Sequence, residues 1–437
     1  MKKLFFLGLV ISLITLTGCQ QQESKPQVNL VYYKLYESSP NFTKILDSYQ
    51  KQNPHINIIY KNFTDPEVYY TTIVNEIAEG RGPDILSVHN TWVAPNHAKL
   101  TPAAPELVSP TDYESIFTNQ AFQDNVLTIQ DQQLVYGIPL HTDSLALYYN
   151  KSHFEETIPE SGQPAKTWKE LTNQSNRLTL IQNNQIQKSG LALGEGDSIL
   201  RSPDIFYNLL LQAEAQLYNA KKNQSNLSKD KSTQDTLDFI TSFSDSQSPN
   251  FSWNSSITSN EKELGAFLKG ETSMIFGYSY LYQELLALQK TYQRQNIDTI
   301  DISDIKITTS PQINPEEPVV YSNYYTETVS RNSQNPQEAW ALIGFLSAKN
   351  NLEAYYQNNF KVTSRRDMIT SQKENRIYKP FLDQIGITKS FPILNQPQQK
   401  QIIKELIDTY PTSPTQSLQT ADQQINQLIQ GRELIPQ

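Results

Sequence analysis

The stretch VNLVYYKLYESSPNFTKILDSYQKQNPHINIIYKNF (residues 28–63) carries two different hydrophobic periods in succession. VNLVYY (28–33) is a short, nearly continuous apolar run, as expected of a strand buried on both faces. After a Ser-Ser-Pro break, Phe42, Ile45, Leu46 and Tyr49 recur at i, i+3, i+4 and i+7, which predicts a helix over residues 41–52. Asn53-Pro54 ends it, and INIIYKNF (56–63) reads as a second strand. Residues 66–79 then repeat the helical pattern, with Pro66 at the start and Tyr69, Ile73 and Ile77 on one side. Gly80-Arg81-Gly82-Pro83 stops that helix, and DILSV (84–88) is a third strand. An order of β-α-β-α-β implies an α/β class, with a parallel sheet covered by helices. Ligands of such sheets lie beyond the carboxyl ends of the strands, here residues 34–39 and 89–92.

Upstream of this unit lies the only cysteine of the 437 residues, Cys19. A lone thiol forms no intramolecular disulfide, and cysteine-based zinc or iron–sulfur sites need several. The preceding residues supply a reason for it. Lys2 and Lys3 form a positive start, and residues 4–16 are apolar apart from Gly8, Ser12 and Thr15. That run is shorter than the ~20 residues a membrane-spanning helix needs and fits the apolar region of an export signal. Leu16-Thr17-Gly18-Cys19 resembles the bacterial lipoprotein box, in which the cysteine is acylated and becomes the mature N-terminus. The expectation is a signal peptide over 1–18, lipidation at Cys19 and a polar tether over 19–27; a plain secretory signal with a chance cysteine is the alternative. Two acyl chains suffice for stable anchoring.

The formal net charge is −9, and it becomes −11 once Lys2 and Lys3 leave with the signal. An acidic chain has no electrostatic grip on nucleic acid or on anionic lipid. No other stretch is apolar for long enough to cross a membrane. The remaining length exceeds one ordinary core and predicts two domains. Helices are expected over 203–220, 232–244, 260–269, 336–348, 396–409 and 414–429. DIKITTS (304–310) and VVYSNYYTETVS (319–330) are expected as strand regions, and 221–231 and 244–250 as surface loops.

Six further segments share an order: GRGPDILSVHNTW (80–92), YGIPLHTDSLALYYNKSHFEE (136–156), KTWKELTNQSNRLT (166–179), AFLKGETSMIFGYSYL (266–281), NPQEAWALIGFLSA (335–348) and FKVTSRRDMI (360–369). In that order the chain resembles the sugar-type extracellular solute-binding proteins of ABC importers, the maltose-binding-like group. The resemblance covers nearly all of the mature chain. One departure is Tyr280, where the family usually has a Trp after the Met-x-x-x-G turn; another is the small number of glycines. The resemblance implies two α/β lobes around a ligand cleft joined by hinge strands, the type II periplasmic-binding-protein arrangement. Carried over, lobe one is 28–139 plus 306–358 and lobe two is 140–305 plus 359–437, with hinges at 136–141 and 359–363. It also implies a small-molecule solute, most simply a mono- or oligosaccharide, delivered by a monomeric protein to a membrane permease, with no enzymatic step and no cofactor.

A neutral sugar needs aromatic rings for its C–H faces and planar polar side chains for its hydroxyls. Candidates at strand ends in lobe one are Tyr36, Glu37, His89, Asn90, Trp92, Tyr324 and Tyr325. Those in the crossing and lobe two are His141, Asp143, Glu195, Asp197, Trp253, Tyr278, Tyr280 and Arg365. Trp92 reads equally as a core anchor. Trp253, in the polar stretch Phe-Ser-Trp-Asn without helical period, is favoured as a ligand contact. Glu195 and Asp197 sit in a Gly-rich turn that suits a cleft or open solvent. Trp168 at a helix start and Trp340 in an amphipathic helix read as packing residues. The five histidines lack metal-ligand spacing, so no metal site is expected.

The competing readings are a lipid-anchored glycan-acting hydrolase and a non-transporting sensor or adhesin on the same fold. There is no G-x-S-x-G, H-E-x-x-H, P-loop or G-x-G-x-x-G. A glycosidase needs only two opposed carboxylates, which a sequence does not display.

Overall fold

The structure is a computed structural model that describes residues 26–257, 261–357, 359–394 and 396–430. Cys19, the signal and most of the expected tether lie outside these residues. Among the described residues no helix is long and apolar enough to cross a membrane.

Strand β1 (Val28–Leu35), helix α1 (Pro40–Gln52), β2 (Ile56–Phe63), α2 (Pro66–Ala78) and β3 (Ile85–His89) follow the expected order. Local chemistry starts and stops each helix. Ser39 caps α1 by accepting the Phe42 N–H, and Asp65 caps α2 by accepting those of Glu67 and Val68; a proline opens each helix. Gly80 and Gly82 follow α2 with φ of +73° and +120°, a backbone that L side chains avoid. β1 pairs in parallel with β2 from Val28↔Ile56 to Leu35↔Phe63, and with β3 at Tyr32↔Ile85. Tyr325–Ser330 returns antiparallel beside β3 and is flanked by β4 (Leu100–Thr101), completing a five-stranded mixed sheet. Its faces bury Phe42, Ile45 and Leu46 with Trp340 on one cluster, and Tyr69, Leu86 and Trp92 on another.

The second lobe is built on a three-stranded antiparallel sheet with Ala146–Asn150 in the centre, Met274–Gly277 on one side and Ile305–Thr308 on the other. One continuous core unites it with Trp168, Ile205, Phe206, Trp253 and the C-terminal helices Gln396–Thr409 and Pro414–Ile429.

This arrangement corrects the expected lobe boundaries. Ile305–Thr308 pairs with Ala146–Asn150 and therefore belongs to lobe two, not lobe one. The region 319–330 is two strands: Val320–Tyr321 pairs with Thr388–Lys389 in lobe two, and Tyr325–Ser330 joins the lobe-one sheet. The chain thus crosses between lobes at 322–324, a crossing that the sequence reading missed. Within the segment expected in lobe two, 364–368 instead lies against lobe one: Thr118 donates its N–H to the Ser364 carbonyl at 3.0 Å, and Met368 packs into that core, before the chain returns to lobe two. Two helix expectations also change. Ser202–Gln212 stops eight residues before residue 220, where Glu214 takes a left-handed φ of 51°. Leu281–Arg294 is a helix that was not expected.

Three extended segments join the lobes side by side. Ile138 exchanges backbone hydrogen bonds with Glu327 (2.9 and 3.0 Å), Thr142 donates to Val362 (3.0 Å) and Leu145 donates to Tyr321 (3.1 Å). These bonds hold the crossings side by side as a narrow ribbon.

Candidate binding cleft

Between the lobes lies a cleft of about 910 Å³, open to solvent. Its lobe-one wall is the turn from β1 into α1. There Tyr36 has a φ of 59°, the left-handed region that a bulky residue occupies only under constraint. The constraint is visible: the Tyr36 N–H donates to the Phe63 carbonyl and the Glu37 N–H to Asn62 Oδ1, both at 2.8 Å. The ring is left 53% exposed, edge-on to Tyr325 at 6.2 Å. On the lobe-two wall Tyr280 is 36% exposed and lies flat on Tyr278, with centroids 5.7 Å apart and planes at 20°. The Arg201 guanidinium sits 5.5 Å from the centre of the Tyr280 ring and pairs with Glu284 at 3.2 Å. Two aromatic faces, one from each lobe, therefore line one cleft.

The floor is polar. Glu37 is buried; its Oε1 accepts the Ser39 N–H at 3.0 Å, and its Oε2 accepts the Tyr355 hydroxyl with Lys361 Nζ 3.7 Å away. Burial alone would raise its pKa, but Lys361, Lys34 and these hydrogen bonds together hold it below the usual carboxylate range. Lys361 is lowered, by burial first and by Lys34 beside it, against the attraction of Glu37. Asp143 accepts from the Ser144 N–H (2.9 Å) and from Ser279 Oγ (2.6 Å) and N–H (3.0 Å), yet burial still pushes it up to about 7. His141 is held far below its usual value, by burial and then by Lys361 and Lys34. Lys34 is itself buried in an ion pair with Glu327, which also accepts from the Tyr32 hydroxyl at 2.7 Å.

Under the floor Asn323, on the second crossing, ties the lobes together. Its amide oxygen accepts from His89 Nε2 at 2.9 Å on the lobe-one side, and its amide nitrogen donates to Asp204 (3.2 Å) and the Tyr278 hydroxyl (3.1 Å) on the lobe-two side. A second tie centres on Asp124, which accepts from Tyr324, Ser390, Asn90 and Gln120 at 2.5–3.0 Å.

Of the residues expected at the site, Tyr36, Glu37, His141, Asp143, Tyr280, Tyr324 and Tyr325 line the cleft. Tyr324 is nonetheless buried, with its hydroxyl spent on Asp124. Tyr278 supports Tyr280 from beneath. The others lie elsewhere. Trp253 is fully buried in the core of lobe two, its indole N–H donated to Ser198 at 2.9 Å. Its polar neighbours misled the reading because they are buried and bonded too: the N–H groups of Ser252 and Trp253 both donate to the Phe243 carbonyl. Trp92 is the core anchor of the alternative reading, packed with Tyr69 and Leu86. Asn90 and His89 belong to the ties beneath the floor. Asp197 is 83% exposed on a turn beside Lys262, and Glu195 accepts from Ser198 in the same turn. Arg365 faces away, paired with Asp367 at 2.9 Å and bonded to the Ser347 carbonyl. The sequence reading missed Lys34, Arg201, Glu284, Asn323, Lys361 and Lys400, all of which line the cleft. The available signal was position: Lys34 falls at the expected strand end of 34–39 and Lys361 within the expected hinge.

A two-lobed α/β fold with a solvent-open cleft over three crossing strands defines a type II ligand-capturing protein. Residues 36–351 match the bacterial extracellular solute-binding proteins, and the chain belongs to that family. Similar solved structures include the sugar-binding protein MalE of Xanthomonas citri (TM-score 0.72, 17% identity, 92% of this chain and 97% of that one). An ABC transporter solute-binding protein from Thermotoga lettingae bound with α-D-tagatose has a TM-score of 0.69 at 17% identity over 92% of this chain and 99% of that one. An ABC substrate-binding protein from Listeria monocytogenes in complex with cycloalternan has the same TM-score at 14% identity over 92% and 98%. No curated protein sequence matches the chain.

Proposed function

We propose that the protein is the substrate-binding lipoprotein of an ABC importer, anchored through Cys19 on the outer face of the bacterial cell membrane. It captures a saccharide in the cleft and presents it to a membrane permease. The observation that carries this reading is the pair of exposed tyrosine rings, Tyr36 and Tyr280, on opposite lobes of one cleft. Flat rings supply the apolar surface that a pyranose face needs, and side chains around them serve its hydroxyls. The sugars bound by the similar structures support the same ligand class.

A ligand touching both walls binds better when the lobes approach, so it favours closure by its differential affinity. The test is small-angle scattering with the saccharide that most raises the thermal midpoint in a panel. Radius of gyration should fall on saturation, without change in secondary structure and without shorter sugar products. An unchanged scattering curve at confirmed saturation favours the sensor or adhesin reading, and released products favour the hydrolase.

A further inference from the structure

The cleft's buried carboxylates are already engaged on both oxygens, while two of its cations keep donors to spare. Glu37 takes the Ser39 N–H and the Tyr355 hydroxyl, and Asp143 takes bonds from Ser144 and Ser279 on both oxygens. Both carboxylates are buried and each already accepts on both oxygens, which leaves them less free than the cations to serve several sugar hydroxyls. Among the described residues Arg201 makes a single hydrogen bond, from Nη2 to Glu284 at 3.2 Å, and its buried Nε has no partner. Lys361, 18% exposed, lies over the Tyr355 ring, and its nearest carboxylate among the described residues, Glu37 at 3.7 Å, is too far for a good hydrogen bond. Neutral sugar hydroxyls both donate and accept, and suit a site offering both functions. A surplus of charged donors suits an acceptor-only group, and a planar guanidinium offers it two parallel bonds. Arg201 lies against the Tyr280 ring, so an anionic substituent on a ring stacked there falls within its reach.

We propose that the ligand is an anionic saccharide, a sugar bearing a carboxylate, sulfate or phosphate, whose charge Arg201 holds while its ring stacks on Tyr280 and Tyr36. This rests on the saccharide reading and names its class. Glu284 is the internal competitor for the guanidinium; it is 47% exposed and returns to water when displaced.

The test is calorimetric titration of the full mature chain with neutral mono- to tetrasaccharides and their uronate, sulfated and phosphorylated counterparts. At least one anionic series should bind about tenfold or more tighter than its neutral counterpart, as charge-assisted bonds imply. The series that binds identifies the anionic group. Arg201→Gln should abolish that preference, weakening the anionic ligand at least about tenfold more than its neutral counterpart. Glu284→Gln, which frees the guanidinium, should strengthen the anionic ligand instead. Folding of both variants is checked by thermal midpoint, and the opposite signs separate recognition from damage. Neutral sugars binding as tightly as all three anionic series, or a preference that survives Arg201→Gln, overturns this proposal and leaves the saccharide reading standing. Absence of binding across the whole panel overturns both.

Discussion

Truncating the two cleft tyrosines should weaken binding in a fixed rank order. A tyrosine carries about 200 Å² of surface, so Tyr36 at 53% exposure offers about 105 Å² and Tyr280 at 36% about 70 Å² to a ligand. At about 25 cal/mol per Å², covering them contributes about 2.6 and 1.8 kcal/mol. Tyr36→Ala should therefore raise Kd by about 80-fold and Tyr280→Ala by about 20-fold, as upper values that assume complete coverage. The fold should survive both changes. Tyr36 leaves a left-handed position that alanine fills no worse, and Tyr280 makes no side-chain cap at the start of its helix. The assay is isothermal titration with the best saccharide of the panel, beside Trp253→Phe as a control. That control should lower thermal stability, because it empties buried volume, and leave Kd unchanged. If both alanine variants bind within about threefold of the parent, or if Trp253→Phe alone weakens binding, the stacking argument is wrong.

Three further outcomes follow from particular side chains. Glu327→Gln leaves the Lys34 ammonium buried without its counter-charge and should cost about 3–5 kcal/mol in urea unfolding; a loss below about 1 kcal/mol would show that the pair is dispensable. Burial raises Asp143 from 3.8 to about 7, so the folded state holds a proton that the unfolded state releases. The stability of the parent relative to Asp143→Asn should be greatest below about pH 4 and decline by up to about 4 kcal/mol as pH rises to about 7, and a difference that is flat or rises with pH would refute the assignment. Cys19→Ala should release the protein from cell membranes into the detergent-free fraction, and retention of the variant in the membrane pellet would refute the lipid anchor.

The sequence by itself determined the first five elements of lobe one, from Val28 to His89, and the class of the fold. Those signals are local: the i, i+3, i+4, i+7 spacing of Phe42, Ile45, Leu46 and Tyr49, and the Pro and Gly residues at element ends. Tyr36, Glu37, Asp143 and Tyr280 could also be named as cleft candidates, because strand ends converge on ligands in α/β sheets and the motif order located them. Only the tertiary structure decided which of the remaining polar residues share the cleft. Arg201, Glu284 and Lys361 come from three distant parts of the chain, and a single polar residue before or on a helix carries no periodic signal of where it will point. Trp253 failed for the converse reason. A polar neighbourhood in sequence looks solvated, yet Ser252 and Trp253 spend their N–H groups on the Phe243 carbonyl, and a polar segment whose hydrogen bonds are all made can be buried with its tryptophan. The crossing at 322–324 was hidden in the same way, since its strands belong to two sheets and only the pairing partners, β3 and Thr388–Lys389, tell them apart.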